Sequence, residues 1–253
     1  MKLRDIRPAI NAFVRRHKLP VAILGTLLLV AFPWIVRNQY FLRVATNVGI
    51  TVILASSLNI VIGFTGMFSL GHAAFYGIGA YTSALLATRL GFPFWLGLPA
   101  AAIVAGMFGT FIGFATLRLR AVFLAFTTLG FGEITRIVIL NWRSFTRGPL
   151  GIAAIPVPTL FGWTFNREAY YYLILVLCAL IITFIYRIYH SRLGRALIAI
   201  REDETAAKSM GINVFGYKVL AFTIACGLAG IAGAFFAHFQ RFISADSFVS
   251  LES

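Results

Sequence analysis

Charge is scarce in this chain, and acid is scarcer. Only 12% of its 253 residues are charged, and 8 acidic side chains stand against 22 basic ones, a formal net charge of +14. The two cysteines, Cys178 and Cys226, lie far apart inside apolar runs, so no CxxC metal or redox site is available and both read as small hydrophobes. His17, His72, His190 and His238 are dispersed, without HExxH or other paired metal-ligand spacing. Walker-type phosphate loops and GxSxG elbows are missing as well. These absences carry no enzyme signature, no nucleotide site of the chain's own, no metal and no cofactor. The first apolar run also lacks the small-residue cleavage pattern of a removable signal peptide, so it reads as an anchor.

What is abundant is hydrophobic surface. A hydrophobic fraction of 60% and a mean hydropathy of +0.88 exceed what a soluble domain carries, so lipid is the main solvent. A net charge of +14 would suit nucleic acid, but the basic residues fall in the gaps between apolar runs, where they flank membrane spans. The expected fold is all-α, a polytopic membrane helical bundle of about seven transmembrane segments with a cytoplasmic coupling helix.

Residues 1–19 form a basic N-terminus that the positive-inside rule keeps in the cytoplasm. Apolar runs follow at Pro20 to Val36, about Leu42 to Ile62, Ser69 to Thr88, Phe94 to Thr116, Ala121 to Leu140, Ala169 to Tyr189 and Val219 to Phe239. The second carries Thr46, Asn47, Thr51, Ser56, Ser57 and Asn59, which require protein or water rather than lipid. Small residues recur at helical spacing in Gly77, Ala80, Ala84 and Ala87, in Gly106, Gly109 and Gly113, and in Gly227, Gly230, Gly233 and Ala234. Each set reads as a close-packing seam. Asn141 to Glu168 holds Gly148, Pro149, Gly151, Pro156, Pro158 and Gly162 and reads as an irregular surface stretch with Trp142 and Trp163 near the headgroups.

The run from Ala121 to Leu140 is unusual, since Thr127, Thr128, Gly130, Gly132, Glu133 and Arg136 interrupt it. Charges at membrane depth cost roughly 2.5–3.5 kcal/mol each on insertion scales. Glu133 and Arg136 share a helical face at i, i+3, and two readings follow: a paired internal network beside a glycine kink, or a substrate path through a glycine-broken helix. A re-entrant 121–140 is the alternative to a crossing. With six crossings before it, the segment Arg192 to Lys218 returns to the cytoplasm.

That segment mixes charges of both signs between two apolar runs. Ala196, Leu197, Ile200, Ala207 and Met210 approximate one face of a single short amphipathic helix, Arg195, Arg201, Glu202, Asp203, Glu204 and Lys208 take the rest, and Gly211 supplies its stop. Such a helix either lies inert in the headgroups or docks into a soluble partner.

The stretches LNIVIGFTGMFSLGHAAFYGIGAYTSALL (Leu58 to Leu86), TLGFGEITRIV (Thr128 to Val138), TRGPLGI (Thr146 to Ile152) and GRALIAIREDETAAKSMGINVFGYKVLAF (Gly194 to Phe222) resemble the branched-chain amino acid ABC transporter permeases, specifically the M-type subunit. In that family the cytoplasmic loop resembles a Glu-Ala-Ala motif followed by glycine. Thr205, Ala206, Ala207 and Gly211 match it here, with Glu204 displaced by one position. The resemblance implies a permease domain over 20–242 with a coupling loop at 190–218 formed by Arg195, Arg201, Glu202, Asp203, Glu204, Ala206, Ala207, Lys208 and Gly211. It implies a multi-pass protein of the bacterial inner membrane, a homologous second permease as heterodimer partner, two cytoplasmic ATPase subunits, a periplasmic or extracellular substrate-binding protein, surrounding membrane lipid, and no nucleic acid. The expected function is uptake of branched-chain or other hydrophobic amino acids. A sister permease for urea or short amides shares the motifs, and an ATPase-independent secondary transporter or channel is the reading from another class. Relatives of this kind continue past the equivalent of Phe242 with further spans, so the tail 243–253 reads as that of a fragment, a truncated product or a frameshifted end. The polar candidates for a translocation path are Asn47, Ser57, Asn59, Thr65, Ser69, His72, Thr128 and Glu133.

Overall fold

The computed structural model describes residues 27–34, 38–116, 121–160 and 163–248. The chain divides into two units, Met1–Ala45 and Thr46–Ser253. In the first unit, residues 27–34 are helical and Asn38 Oδ1 accepts the backbone N–H of Tyr40 at 3.0 Å, capping the helix α1, Gln39–Asn59, that continues into the second. The basic N-terminus and most of the Pro20 to Val36 run lie outside the described residues.

The second unit contains α2 (His72–Arg89), α3 (Phe94–Thr116), α4 (Ala121–Asn141), α5 (Arg167–His190), two short helices α6 (Arg192–Glu202) and α7 (Glu204–Ser209), and α8 (Val214–Gln240). Helical segments at Gln39–Phe64, Phe94–Thr116, Phe123–Asn141, Arg167–His190 and Val214–Gln240 are long and apolar enough to cross a membrane. At about 1.5 Å per residue, the 18-residue helix α2 is about 27 Å long, close to a hydrocarbon core. Its composition is less apolar because it is surrounded by protein: twelve of its residues are buried, among them His72, Tyr76, Tyr81 and Ser83.

The centre of the unit is α8, which packs between α2 and α3. Of its most apolar stretch, 61% is buried, against 17% for α4. Without water to drive helices together, close approach depends on small residues. A Cβ on Gly233 would collide with the carbonyl of Tyr76 in α2, and one on Gly230 would come within 2.6 Å of both the Ala101 carbonyl oxygen and the Ala105 methyl in α3. Thr110 and Thr223 close the α3–α8 seam with a hydroxyl–hydroxyl bond of 2.8 Å. Beyond the seam, Phe75 stacks on Phe131 of α4 at 5.3 Å and meets Phe222 of α8 edge-on at 5.6 Å.

Three expectations change. The helix α4 is continuous through Gly130 and Gly132, because a glycine inside a helix costs only about 1 kcal/mol relative to alanine and does not by itself break it, and Glu133 and Arg136 pair along one face. The single amphipathic helix is two, since Asp203 adopts an extended conformation between them (φ −153°, ψ 108°) and caps the second. The last span begins earlier than Val219: Asn213 Oδ1 accepts from Gly216 N at 3.0 Å and starts α8 at Val214.

The stretch after α4 is more ordered than its glycine and proline content suggests. It holds a helical turn at Arg143–Thr146 and the two-residue strands β1 (Ile152–Ala153), β2 (Thr159–Leu160) and β3 (Trp163–Thr164). β2 pairs antiparallel with β3, while β1 pairs antiparallel with β4 (Phe242–Ile243) just past α8. His238 fastens the same region. The Pro156 carbonyl can only accept, so His238 Nδ1–H donates to it at 2.8 Å, and Nε2 then accepts the hydroxyl of Ser83 in α2 at 2.9 Å.

Candidate functional site

The surface segment between α5 and α8 is built from its caps outward. Ser191 accepts from Gly194 N at 3.3 Å to start α6. Asp203 Oδ1 accepts from Thr205 N at 2.8 Å and Ala206 N at 3.0 Å, satisfying two donors left open at the start of α7. Gly211 then takes φ +81°, a left-handed turn that a side chain would strain. Ile200, Ala207 and Val214 form a small apolar cluster of their own, which seats α7 against α6 and the start of α8.

Most of the charges in this segment are spent within the chain. Arg201 Nη1 donates to the Gly63 carbonyl at 2.7 Å while Nη2 meets Glu202 at 2.7 Å. Glu204 pairs with Lys218 at 2.6 Å, Asp203 serves as a cap, and Arg195 donates to the His190 carbonyl at 3.1 Å. What α7 and the following turn present outward is different in kind: Ala206 and Gly211 are exposed, Met210 is 82% exposed, and Lys208 stands beside them. Nothing lies within 4 Å of where a Cβ on Gly211 would sit. Ala207, which its spacing puts on the apolar face and the family resemblance puts in the coupling loop, is buried.

Gly63 belongs to a single π-helical turn, Ile60–Phe64, that ends the α1 span. Such turns are rare and concentrate at functional sites. After it the chain doubles back through Gly66 (φ +70°) to α2. Here four of the sequence candidates come together. Ser57 donates to the Leu54 carbonyl at 2.7 Å, so His72 Nε2–H donates to the Ser57 hydroxyl at 2.8 Å, deep in the protein. That tautomer leaves His72 Nδ1 as an acceptor, buried with no partner among the described residues, as is the hydroxyl of Ser69. Thr128 of α4 accepts the Leu70 N–H at 3.1 Å, and Gly71 lies so close to the Thr128 carbonyl that no side chain fits there.

The other candidates are elsewhere. Thr65 turns back on its own helix to the Val61 carbonyl, and Asn59 is exposed with its carboxamide over Gly63. Glu133 pairs with Arg136 at 2.9 Å on the open face of α4, its side chain 51% exposed. Asn47 lines a separate cavity of about 210 Å³ between α1, α2 and α8. There Thr51, Tyr76, Gln240 and Ser247 add polar atoms, and Ile50, Phe236 and Phe248 add apolar wall. Of these, Thr51 is traceable from sequence, one helical turn beyond Asn47; Gln240 and Ser247 arrive from the far end of the chain and have no local signal. Among the described residues no group of three or more His, Cys, Asp or Glu side chains is placed to hold a metal.

Several apolar crossing helices packed on one glycine-faced helix, with a capped amphipathic segment between two of them, define a multi-pass integral membrane protein of the permease kind. The chain belongs to the family described as "Branched-chain amino acid transport system / permease component", which it matches over residues 40–252. It is 41% identical to the high-affinity branched-chain amino acid transport system permease protein LivM of Escherichia coli, an alignment covering 98% of this chain and 64% of the relative. Likeness to the LivM protein of Salmonella typhimurium is 40% with the same coverage, and to the LivH permease protein of Escherichia coli 26%, over 81% of this chain and 73% of that one. The chain thus spans about 64% of the length of its LivM relatives. No solved structure matches it.

Proposed function

We propose that this chain is the membrane-spanning subunit of a binding-protein-dependent ABC importer, one that translocates branched-chain or similar hydrophobic amino acids with ATP hydrolysed by separate subunits. The partners in this reading are a homologous second permease, two cytoplasmic ATPase subunits and an external substrate-binding protein. The setting is a bacterial inner membrane, with residues 1–19 and the loop 190–218 on the cytoplasmic side, the permease domain over 20–242 and a tail at 243–253.

The observation that carries the reading is the construction of the loop. A freely lipid-bound amphipathic helix needs a continuous apolar face turned outward. Here Ile200, Ala207 and Val214 are turned inward onto one another, and the outward surface is broken up: Ala206, Met210 and Gly211 stand exposed with Lys208 beside them. Such a surface fits a groove on a protein. Pressure on it reaches the bundle interior through Arg201, whose bond to Gly63 ends on the π-turn beside Ser57, Ser69 and His72. Tilting that turn alters the wall formed by α1 and α2, the wall that also carries Asn47 and Thr51.

The cavity of about 210 Å³ supports the substrate class. Asn47, Thr51 and Gln240 offer donors and acceptors to a charged amino-acid backbone, and Ile50, Phe236 and Phe248 offer an apolar surface to its side chain. The reading is tested by co-purifying the chain from native membranes and by cross-linking Ala206→Cys and Met210→Cys. Both cysteines should join to an ATPase subunit. Labelling of these positions only from the outer face would sink it.

A further inference from the structure

A second and larger cavity, about 630 Å³, lies between α2, α3 and α4 and is open along one side. Its walls are nearly all apolar and include Val104, Phe108, Ile134 and Val138 beside Thr135 on the same stretch of α4, with Trp142 at the end where α4 stops. At that end sits Arg89, the last residue of α2. Its Nη2 donates to the carbonyls of Ser144 and Phe145, at 2.5 and 2.8 Å, and its guanidinium lies 5.1 Å over the Phe145 ring. Arg89 also lines a small adjoining cavity of about 60 Å³, shared with Thr88, Arg147 and Ala153. The groove therefore opens at its end onto two arginines, and among the described residues no carboxylate pairs with either.

We propose that the groove holds an acyl chain of an anionic phospholipid, with the lipid phosphate at Arg89 and Arg147. An open apolar trough at membrane depth is filled by whatever apolar rod fits it. A transmembrane helix is ~10–12 Å across with its side chains and would cover the trough with one face rather than enter it. An acyl chain is narrow enough, and it brings what a helix does not: a phosphate covalently placed at the interface end, where two cations stand without an anion. Trp142 marks the same level, as amphipathic rings do at headgroup depth. The assignment is independent of the transport reading.

Trp142 provides the measurement. The full chain is reconstituted into vesicles containing phosphatidylglycerol or phosphatidylcholine with brominated acyl chains, and the Trp142 signal is isolated by subtracting that of Trp142→Phe. Brominated phosphatidylglycerol should quench Trp142 at lower mole fraction than brominated phosphatidylcholine, by roughly fivefold for each arginine engaged. Arg147→Gln, at an exposed side chain that bonds no other side chain among the described residues, should remove one such factor, and Arg89→Gln with it should remove the preference. Val138→Phe, which narrows the trough, should weaken quenching by both lipids. Equal quenching by the two lipids, or a preference unchanged in Arg147→Gln and in the double variant, overturns the proposal. So does a groove filled by protein: no quenching by either lipid, together with Ile134→Cys cross-linking to a second membrane chain.

Discussion

Arg201 and Gly63 lie 138 positions apart in sequence, yet the guanidinium Nη1 of one donates to the carbonyl oxygen of the other at 2.7 Å. The same side chain lies over Gly66, where an added Cβ would come within 3.0 Å of the Arg201 Cγ. The surface segment α6–α7 and the π-turn at the end of α1 are therefore linked by one charge-assisted bond.

Arg201→Ala removes that link. A bond from a charged donor contributes about 1.5–3 kcal/mol when buried, and about 1 kcal/mol is the expectation for this partly exposed one. Membrane insertion and thermal midpoint should change little, whereas in the importer proposed above ATPase activity stimulated by the loaded binding protein should fall several-fold. Wild-type stimulation in Arg201→Ala would mean that coupling in such an importer does not run through this bond.

Asp203→Ala removes the cap of a six-residue helix, which is too short to persist without it. The cost is about 0.5–2 kcal/mol, concentrated in α7. Hydrogen exchange at 204–210 should accelerate in Asp203→Ala and stay slow in Asp203→Asn, whose side-chain oxygen still accepts. Unchanged exchange in both variants would show that packing of Ala207 alone holds α7.

Two glycine substitutions should behave oppositely. Gly230→Ala sets a methyl within 2.6 Å of the Ala101 carbonyl and Ala105, where helix backbones meet, and overpacking of that kind costs about 1–3 kcal/mol. Gly130→Ala, with nothing within 4 Å, should be neutral or should stabilise α4 by up to about 1 kcal/mol through helix propensity. Thermal midpoints in detergent, measured side by side, check both signs.

Those glycines also show what the sequence makes legible. Gly227, Gly230 and Gly233 announce a seam because three- and four-residue spacing is a local property of one helix, and the Glu133–Arg136 pair is legible for the same reason. The break at Asp203 is not, because an acid between Glu202 and Glu204 looks like part of a charged face; only its extended backbone distinguishes a cap from a surface residue. The low hydropathy of α2 becomes intelligible only once its neighbours are known, since a helix sheathed in protein does not need to be as apolar as one in lipid. The two-residue strands are too short to show alternation. His238 binds groups 155 and 82 positions away, and no window of sequence holds that information.

The histidine makes a further expectation. His238→Ala leaves the Ser83 hydroxyl and the Pro156 carbonyl without their partner, each at about 1–3 kcal/mol if it stays dry. The loop from Arg147 to Pro158 keeps its β1–β4 ladder and the bond from Ile155 N to the Arg241 carbonyl, so it should loosen without detaching. Limited proteolysis should cut this loop faster in His238→Ala than in the wild type. Equal rates would assign the loop's order to the ladder alone.

The cavity beside Asn47 separates two classes of polar residue that look alike in sequence. Asn47 and Asn59 both lie on α1, twelve residues apart, but Asn47 lines the space of about 210 Å³ while Asn59 is exposed over the π-turn. If the cavity receives the polar end of an amino acid, Asn47→Leu withdraws a hydrogen-bond partner from a desolvated charged group, a loss of about 1.5–3 kcal/mol, or roughly ten- to a hundredfold in the KM of uptake. Asn59→Leu should leave KM unchanged, because its side chain meets none of that space. Thr51→Val, isosteric and one turn along, should fall between the two. Reconstituted uptake of labelled leucine measures all three, and the order distinguishes a binding cavity from a packing defect: a void costs stability when filled wrongly but has no reason to discriminate between two asparagines by their effect on substrate.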